Sequence, residues 1–143
     1  MTATNTVNAP ATPTVERGTA RPLVVSGTIA GAVASVATTV VAAVAHASSV
    51  SLAVHGESIP LLGFAEVTFV ASLIGVAIAV GIARWAYTPR RTFVTTALAL
   101  TGLSLVPDLL ADTAGSTRAT LMLTHLVATT IVVPALARRL PAE

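Results

Sequence analysis

The chain has 143 residues, enough for one domain, and 54% of them are hydrophobic while only 10% are charged; a soluble domain carries about 25% charged residues, so the deficit argues for lipid. The positive charge comes from eight arginines and no lysine, with no basic stripe interleaved with aromatics, which excludes a nucleic-acid partner. Cysteine is absent, which removes disulfides, thiolate metal sites and thiol redox chemistry.

Residues 1–21 are rich in Thr, Ala and Pro, and Pro10 and Pro13 interrupt any helix. Too few large apolar side chains are present to fold this stretch alone, so a disordered cytoplasmic tail is expected. The membrane domain is expected over 22–140, with a first span at about 23–45. That span is almost free of charge, and Gly27 and Gly31 form a small-xxx-small pair that lets a second helix approach closely. Ala45-His46-Ala47 resembles a signal-peptide cleavage site, but the apolar run is longer than a signal core, and the segment is read as retained.

Residues 46–62 form the first outer loop. Val50, Leu52 and Val54 alternate and His55-Gly56 can turn, so a short β-hairpin is expected there. The second span, about 63–86, carries Glu66 near its start, Arg84 near its end, and Trp85 and Tyr87 at an interfacial level. Thr88-Pro89-Arg90-Arg91 turns the chain back into a third span at about 92–111. There Thr101, Ser104 and Asp108 share one helical face, and Pro107 frees the Leu103 carbonyl because it has no N–H to donate. A short hairpin leads to the last span at about 118–137, with Ser116 or Thr117 as its cap. Arg118, Met122, His125 and Thr129 share a face of this helix.

The fold class is therefore all-α, a bundle of four transmembrane helices. With the N-terminus inside, Arg17, Arg21, Arg84, Arg90, Arg91, Arg138 and Arg139 fall on the cytoplasmic side and only Arg118 outside. By the positive-inside rule both termini are cytoplasmic.

Several stretches carry a resemblance: Pro89-Arg90-Arg91-Thr92-Phe93-Val94, Leu103-Ser104-Leu105-Val106-Pro107-Asp108-Leu109, Leu123-Thr124-His125-Leu126-Val127-Ala128, the run from Ile131 to Arg139, and Gly56 to Phe64. Over residues 23–140 the chain resembles a family of small bacterial four-span membrane proteins of unknown function. The resemblance implies four helices in a bacterial plasma membrane. It brings no reaction and no catalytic residue.

Candidate site residues come from depth. His125 lies about one turn from the midpoint of its span, Asp108 about 9 Å and Glu66 about 13 Å outward from the middle of theirs. An ionisable group at such depth needs a partner or a purpose. His46, Glu66, Ser104, Asp108, Arg118 and His125 are the candidate ligand-binding residues, and His125, Asp108 and Glu66 the candidate acid–base groups. Histidine is the natural choice for such chemistry, because its ordinary titration range spans physiological pH. The competing reading of His125 is packing, its ring donating to a neighbouring helix carbonyl such as that of Leu103. Glu66 and Asp108 also read as solvated acids near headgroups, although the helix dipole disfavours Asp108 at a C-terminal end and Arg118 at an N-terminal one. An ion pair between those two is expected to resolve both.

His46, Glu66, Asp108 and His125 are metal-ligand types, but no His/Glu pair has helical i,i+4 spacing, so no metal and no cofactor is expected. Ser104, His125 and Asp108 form a triad on paper only, without a G-x-S-x-G elbow, and no glycine loop cradles phosphate. Two functions stay open. One is binding of a small lipophilic or cationic molecule in an outward-facing polar pocket, with acid–base work by His125. The other is a structural or accessory subunit that packs through Gly27 and Gly31 and its Ala-rich faces against itself or a larger membrane complex. A proton path is weaker, because the inner half offers no polar chain.

Overall fold

A computed structural model describes residues 20–142; the tail expected to be disordered lies, but for its last two residues, outside them. Four helices make up almost all of the described chain: α1 (Ala20–Ala47), α2 (Leu61–Trp85), α3 (Pro89–Leu110) and α4 (Gly115–Ala137). Each is long and apolar enough to cross a membrane. The shortest, with 22 residues, rises about 33 Å, against a hydrocarbon core of about 30 Å. Leucine, alanine and β-branched residues dominate these runs, and in lipid the backbone must satisfy itself, which the α-helix does.

Small residues draw the bundle together. Leu23, Gly27, Ala30, Gly31, Ala34, Ser35, Thr38 and Ala42 of α1 are buried at helical spacing. This stripe faces α2 and α4, the two helices α1 packs against most extensively. A Cβ on Gly27 would overlap Val76 Cγ2 and stand 2.9 Å from Leu136 Cδ2; one on Gly31 would stand 2.8 Å from Ser72 Cβ. Both glycines are thus used inside the chain, for α2 and α4, and are not left free for a second molecule. On the opposite side of α1, Val25, Ile29, Val33, Val36, Val40 and Val44 are exposed, a stripe suited to acyl chains. The hydroxyls of Thr38 and Thr68 meet at 3.0 Å and tie α1 to α2.

Between α1 and α2 the strands β1 (Ala53–Val54) and β2 (Glu57–Ser58) pair antiparallel, Ala53 opposite Ser58 and Val54 opposite Glu57. His55 at φ 52° and Gly56 at φ 83° make the two-residue turn in the left-handed region that a tight hairpin requires. The alternation at Val50, Leu52 and Val54 does not extend the strand, because Leu52 turns to φ 47° and buries its side chain beside Ala42 and Phe64. Thr113, between α3 and α4, donates to the Ala53 carbonyl at 2.6 Å and fastens the two loops together. This end of the bundle is called the hairpin end below. Pro89, expected in the linker, opens α3 at its first turn, where its missing N–H costs no helical bond.

α3 packs mainly on α4 and only lightly on α2; of its residues only Phe93 is fully buried. That loose α2–α3 seam positions the site.

Candidate functional site

The seam opens into an elongated cavity of about 390 Å³ between α2, α3 and α4. On α2 its wall runs from Gly63 to Ile78, which is about 22 Å of helix rise. Most of the wall is apolar, with Phe64, Val67, Ile74, Phe93, Leu100 and Val132 among its residues. Val67, Ile74 and Leu100 are more than 40% exposed, so the cavity communicates sideways with the bundle surface. Gly75 lines it, and a Cβ there would meet nothing within 4 Å, so the missing side chain contributes directly to the space.

Near the hairpin end, α3 and α4 bring Asp108 and His125 together. Cα–Cβ bonds tilt toward a helix's own N-terminus. In this antiparallel pair the Asp108 side chain therefore leans away from the hairpin end while that of His125 leans toward it, which closes a large axial offset. His125 Nδ1 lies 3.0 Å from Asp108 Oδ2 and 3.0 Å from the Leu121 carbonyl oxygen, one turn back on its own helix. The contact with the carboxylate satisfies ion-pair distance, but the N–H is aligned on the carbonyl. Oδ2 is consequently buried without an aligned donor. The Leu121 carbonyl oxygen offers only lone pairs, so its 3.0 Å contact argues for the proton on Nδ1. The neutral ring then presents Nε2 as an acceptor. The Asp108 side chain is 13% exposed and that of His125 40%, so the ring, not the acid, is the accessible member.

One to two turns farther along, Thr101 and Thr129 meet hydroxyl to hydroxyl at 3.0 Å and clasp α3 to α4. Ser104 donates to the Thr101 carbonyl at 2.7 Å and makes no hydrogen bond with His125, so the paper triad with Asp108 is not assembled.

Of the six candidate ligand-binding residues, Ser104 and His125 line the cavity, and Asp108 touches its edge through His125. His46 is exposed at the end of α1 and Glu66 is exposed on α2, neither on the cavity wall. Arg118 is elsewhere too. Its Nη2 donates to the Ala111 carbonyl at 2.9 Å, bracing the turn before α4, and the expected Asp108–Arg118 ion pair does not form. His125 stands in that place beside Asp108, and Arg118 is engaged with the loop. The Leu103 carbonyl freed by Pro107 is not its partner; Leu121 is. Among the described residues no three His, Asp or Glu side chains cluster as a metal site would require.

The residues that sequence reasoning did not single out are Thr68, Ser72, Thr124 and Gly75, all of which line the cavity. Their signal was present as Thr68 and Ser72 at i,i+4, but Ser and Thr are frequent throughout this chain and helix facing is not written in spacing alone.

No match to a curated protein or to a solved structure is found. A family profile does match, over residues 18–142, and so takes in all four helices, the cavity and the Asp108–His125 contact. The chain belongs to this family, the family of unknown function DUF6069.

Proposed function

We propose that the protein is a multi-pass protein of the bacterial plasma membrane that holds a small lipophilic molecule in the cavity between α2, α3 and α4. Both termini lie in the cytoplasm in this reading, and the hairpin end faces outward, in keeping with seven arginines against one. The observation that carries it is the cavity itself. Its size falls within the range of ligand sites, and its wall is mostly apolar with a few polar side chains from all three helices. The sideways opening at Val67, Ile74 and Leu100 offers entry from the bilayer. His125 supplies the acid–base element, with Asp108 Oδ2 3.0 Å from its Nδ1.

The accessory-subunit reading draws less support from Gly27 and Gly31, which Val76, Leu136 and Ser72 of the same chain fill, and rests on the other faces. Self-association through other faces is compatible with ligand binding.

Gly75→Phe tests the reading, because it fills the cavity from a position with open space. Gly102→Phe is the control, being equally unobstructed but off the cavity wall. Wild-type protein and Gly102→Phe, purified in mild detergent, should retain a lipophile that mass spectrometry finds depleted in Gly75→Phe. Identical extracts from all three would refute the proposal.

A further inference from the structure

The polar groups of the cavity have their hydrogens already committed. Ser72 donates to the Thr68 carbonyl, Ser104 to that of Thr101, and Thr124 to that of Leu121, each at 2.7 Å. Thr101 and Thr129 share two hydrogens among three contacts, their mutual one at 3.0 Å and those to the Ala97 and His125 carbonyls at 2.9 and 2.8 Å, so neither has one to spare. Thr68 faces Thr38, whose own hydrogen goes to the Ser35 carbonyl, so the Thr68 hydrogen is the one that fills the contact between them. A hydroxyl has one hydrogen, so none of these six side chains has a hydrogen to spare for an occupant. Of the lining main-chain groups at the hairpin end, the Ile59 N–H donates to the Leu52 carbonyl and the Gly63 N–H to the Pro60 carbonyl, and beyond the first turns the helices use their N–H groups internally. At His125 the hydrogen sits on Nδ1, between Leu121 and Asp108, and Nε2 is left as an acceptor without a partner among the described residues.

Resting on the ligand-binding reading above, we propose that the occupant is an apolar chain ending in a hydrogen-bond donor, an O–H or a protonated amine, whose head is received by His125 Nε2. A ligand head that only accepts would meet at His125 Nε2 another lone pair and find no hydroxyl hydrogen to spare, and so gain nothing for its lost solvation. The shape agrees. The cavity is about 22 Å long on α2, and His125 lies toward the hairpin end of the α4 wall, which runs from Leu121 to Val133. The head therefore sits near the hairpin end and the chain runs past Ala128 and Val132 toward Phe93. Asp108 acts as a positioning residue: it touches no ligand, and its carboxylate favours the Nδ1–H form that turns Nε2 into an acceptor.

The test uses matched probes on the full chain in nanodiscs: decan-1-ol, decylamine and methyl nonyl ether, with retained probe measured by gas chromatography and corrected by empty nanodiscs. The ether has the length of the alcohol but no donor. On the wild-type chain, decan-1-ol should bind about five- to tenfold more tightly than the ether, the worth of one hydrogen bond. Preference for both decan-1-ol and decylamine identifies any donor head; preference for decylamine alone identifies a cation. Either supports the proposal. His125→Phe should bring the donors to the level of the ether and leave the ether unchanged, and Asp108→Asn should narrow the same ratio. Equal binding of all three probes to the wild type, or a donor preference that survives in a folded His125→Phe, overturns the proposal while leaving the cavity reading intact. The wild-type comparison needs no variant, so misfolding cannot mask it. Binding of every probe no better to the wild type than to Gly75→Phe overturns the cavity reading itself.

Discussion

Gly27→Ala separates an intramolecular role for the small-residue stripe from a role in docking partners. The added Cβ would overlap Val76 Cγ2 and sit 2.9 Å from Leu136 Cδ2, where ordinary contacts begin near 3.4 Å. Val76 and Leu136 are both buried, so neither side chain can swing into open space. Overpacking of this kind costs about 1–3 kcal/mol, and the better helix propensity of alanine returns up to about 1 kcal/mol. A net loss of about 1–2 kcal/mol is expected. Val76→Ala removes the methyl that the added Cβ would strike. The double variant should therefore be more stable than the sum of the two single effects, with a coupling of about 1–2 kcal/mol within the range seen for touching residues. Reversible unfolding in mixed micelles measures all three variants, and the oligomeric state is followed in parallel. A neutral Gly27→Ala, or additive effects of the two substitutions, would refute the packing argument. Loss of an oligomer with unchanged monomer stability would return the stripe to the accessory reading.

Other expectations follow from the loops and the polar pair. Single cysteines at Ser51 and Ser116 should react with an impermeant thiol reagent in intact cells and a cysteine at Thr88 should not; labelling at Thr88 alone would invert the orientation. His125→Gln keeps an amide donor near Leu121 and Asp108, so detergent stability should fall by no more than about 1 kcal/mol. Retained fold with lost function would assign the ring to chemistry, whereas parallel loss of both would assign it to packing. Asp108 and Arg118 do not pair, so the charge-swapped double variant should be no more stable than the single ones. Recovery in that double variant would contradict the arrangement at the hairpin end. Thr113→Val removes the donor to the Ala53 carbonyl, and amide exchange in the 53–58 hairpin should accelerate, with a stability loss of about 0.5–1.5 kcal/mol.

What the sequence determined by itself was the class and the number of helices. Four apolar runs in a chain with so few charges have one physical solution in lipid, because only a helix satisfies every backbone group within its own segment. At His55-Gly56, where the sequence offered a turn, both residues take positive φ between two short strands. The shared face of Thr101, Ser104 and Asp108 was legible too, since helical periodicity alone dictates it. Tertiary structure decided which faces meet. Rotation of each helix about its axis is set by packing, and the close approach of α1 to α2 and α4 at Gly27 and Gly31 leaves α3 seated on α4 and the cavity open toward α2. The same rotation gave Asp108 to His125 and not to Arg118, and left Glu66 and His46 outside the cavity. A helix dipole argument could find two badly placed charges, but it acts along one axis and carries no information about the neighbour that side-chain tilt brings within 3.0 Å.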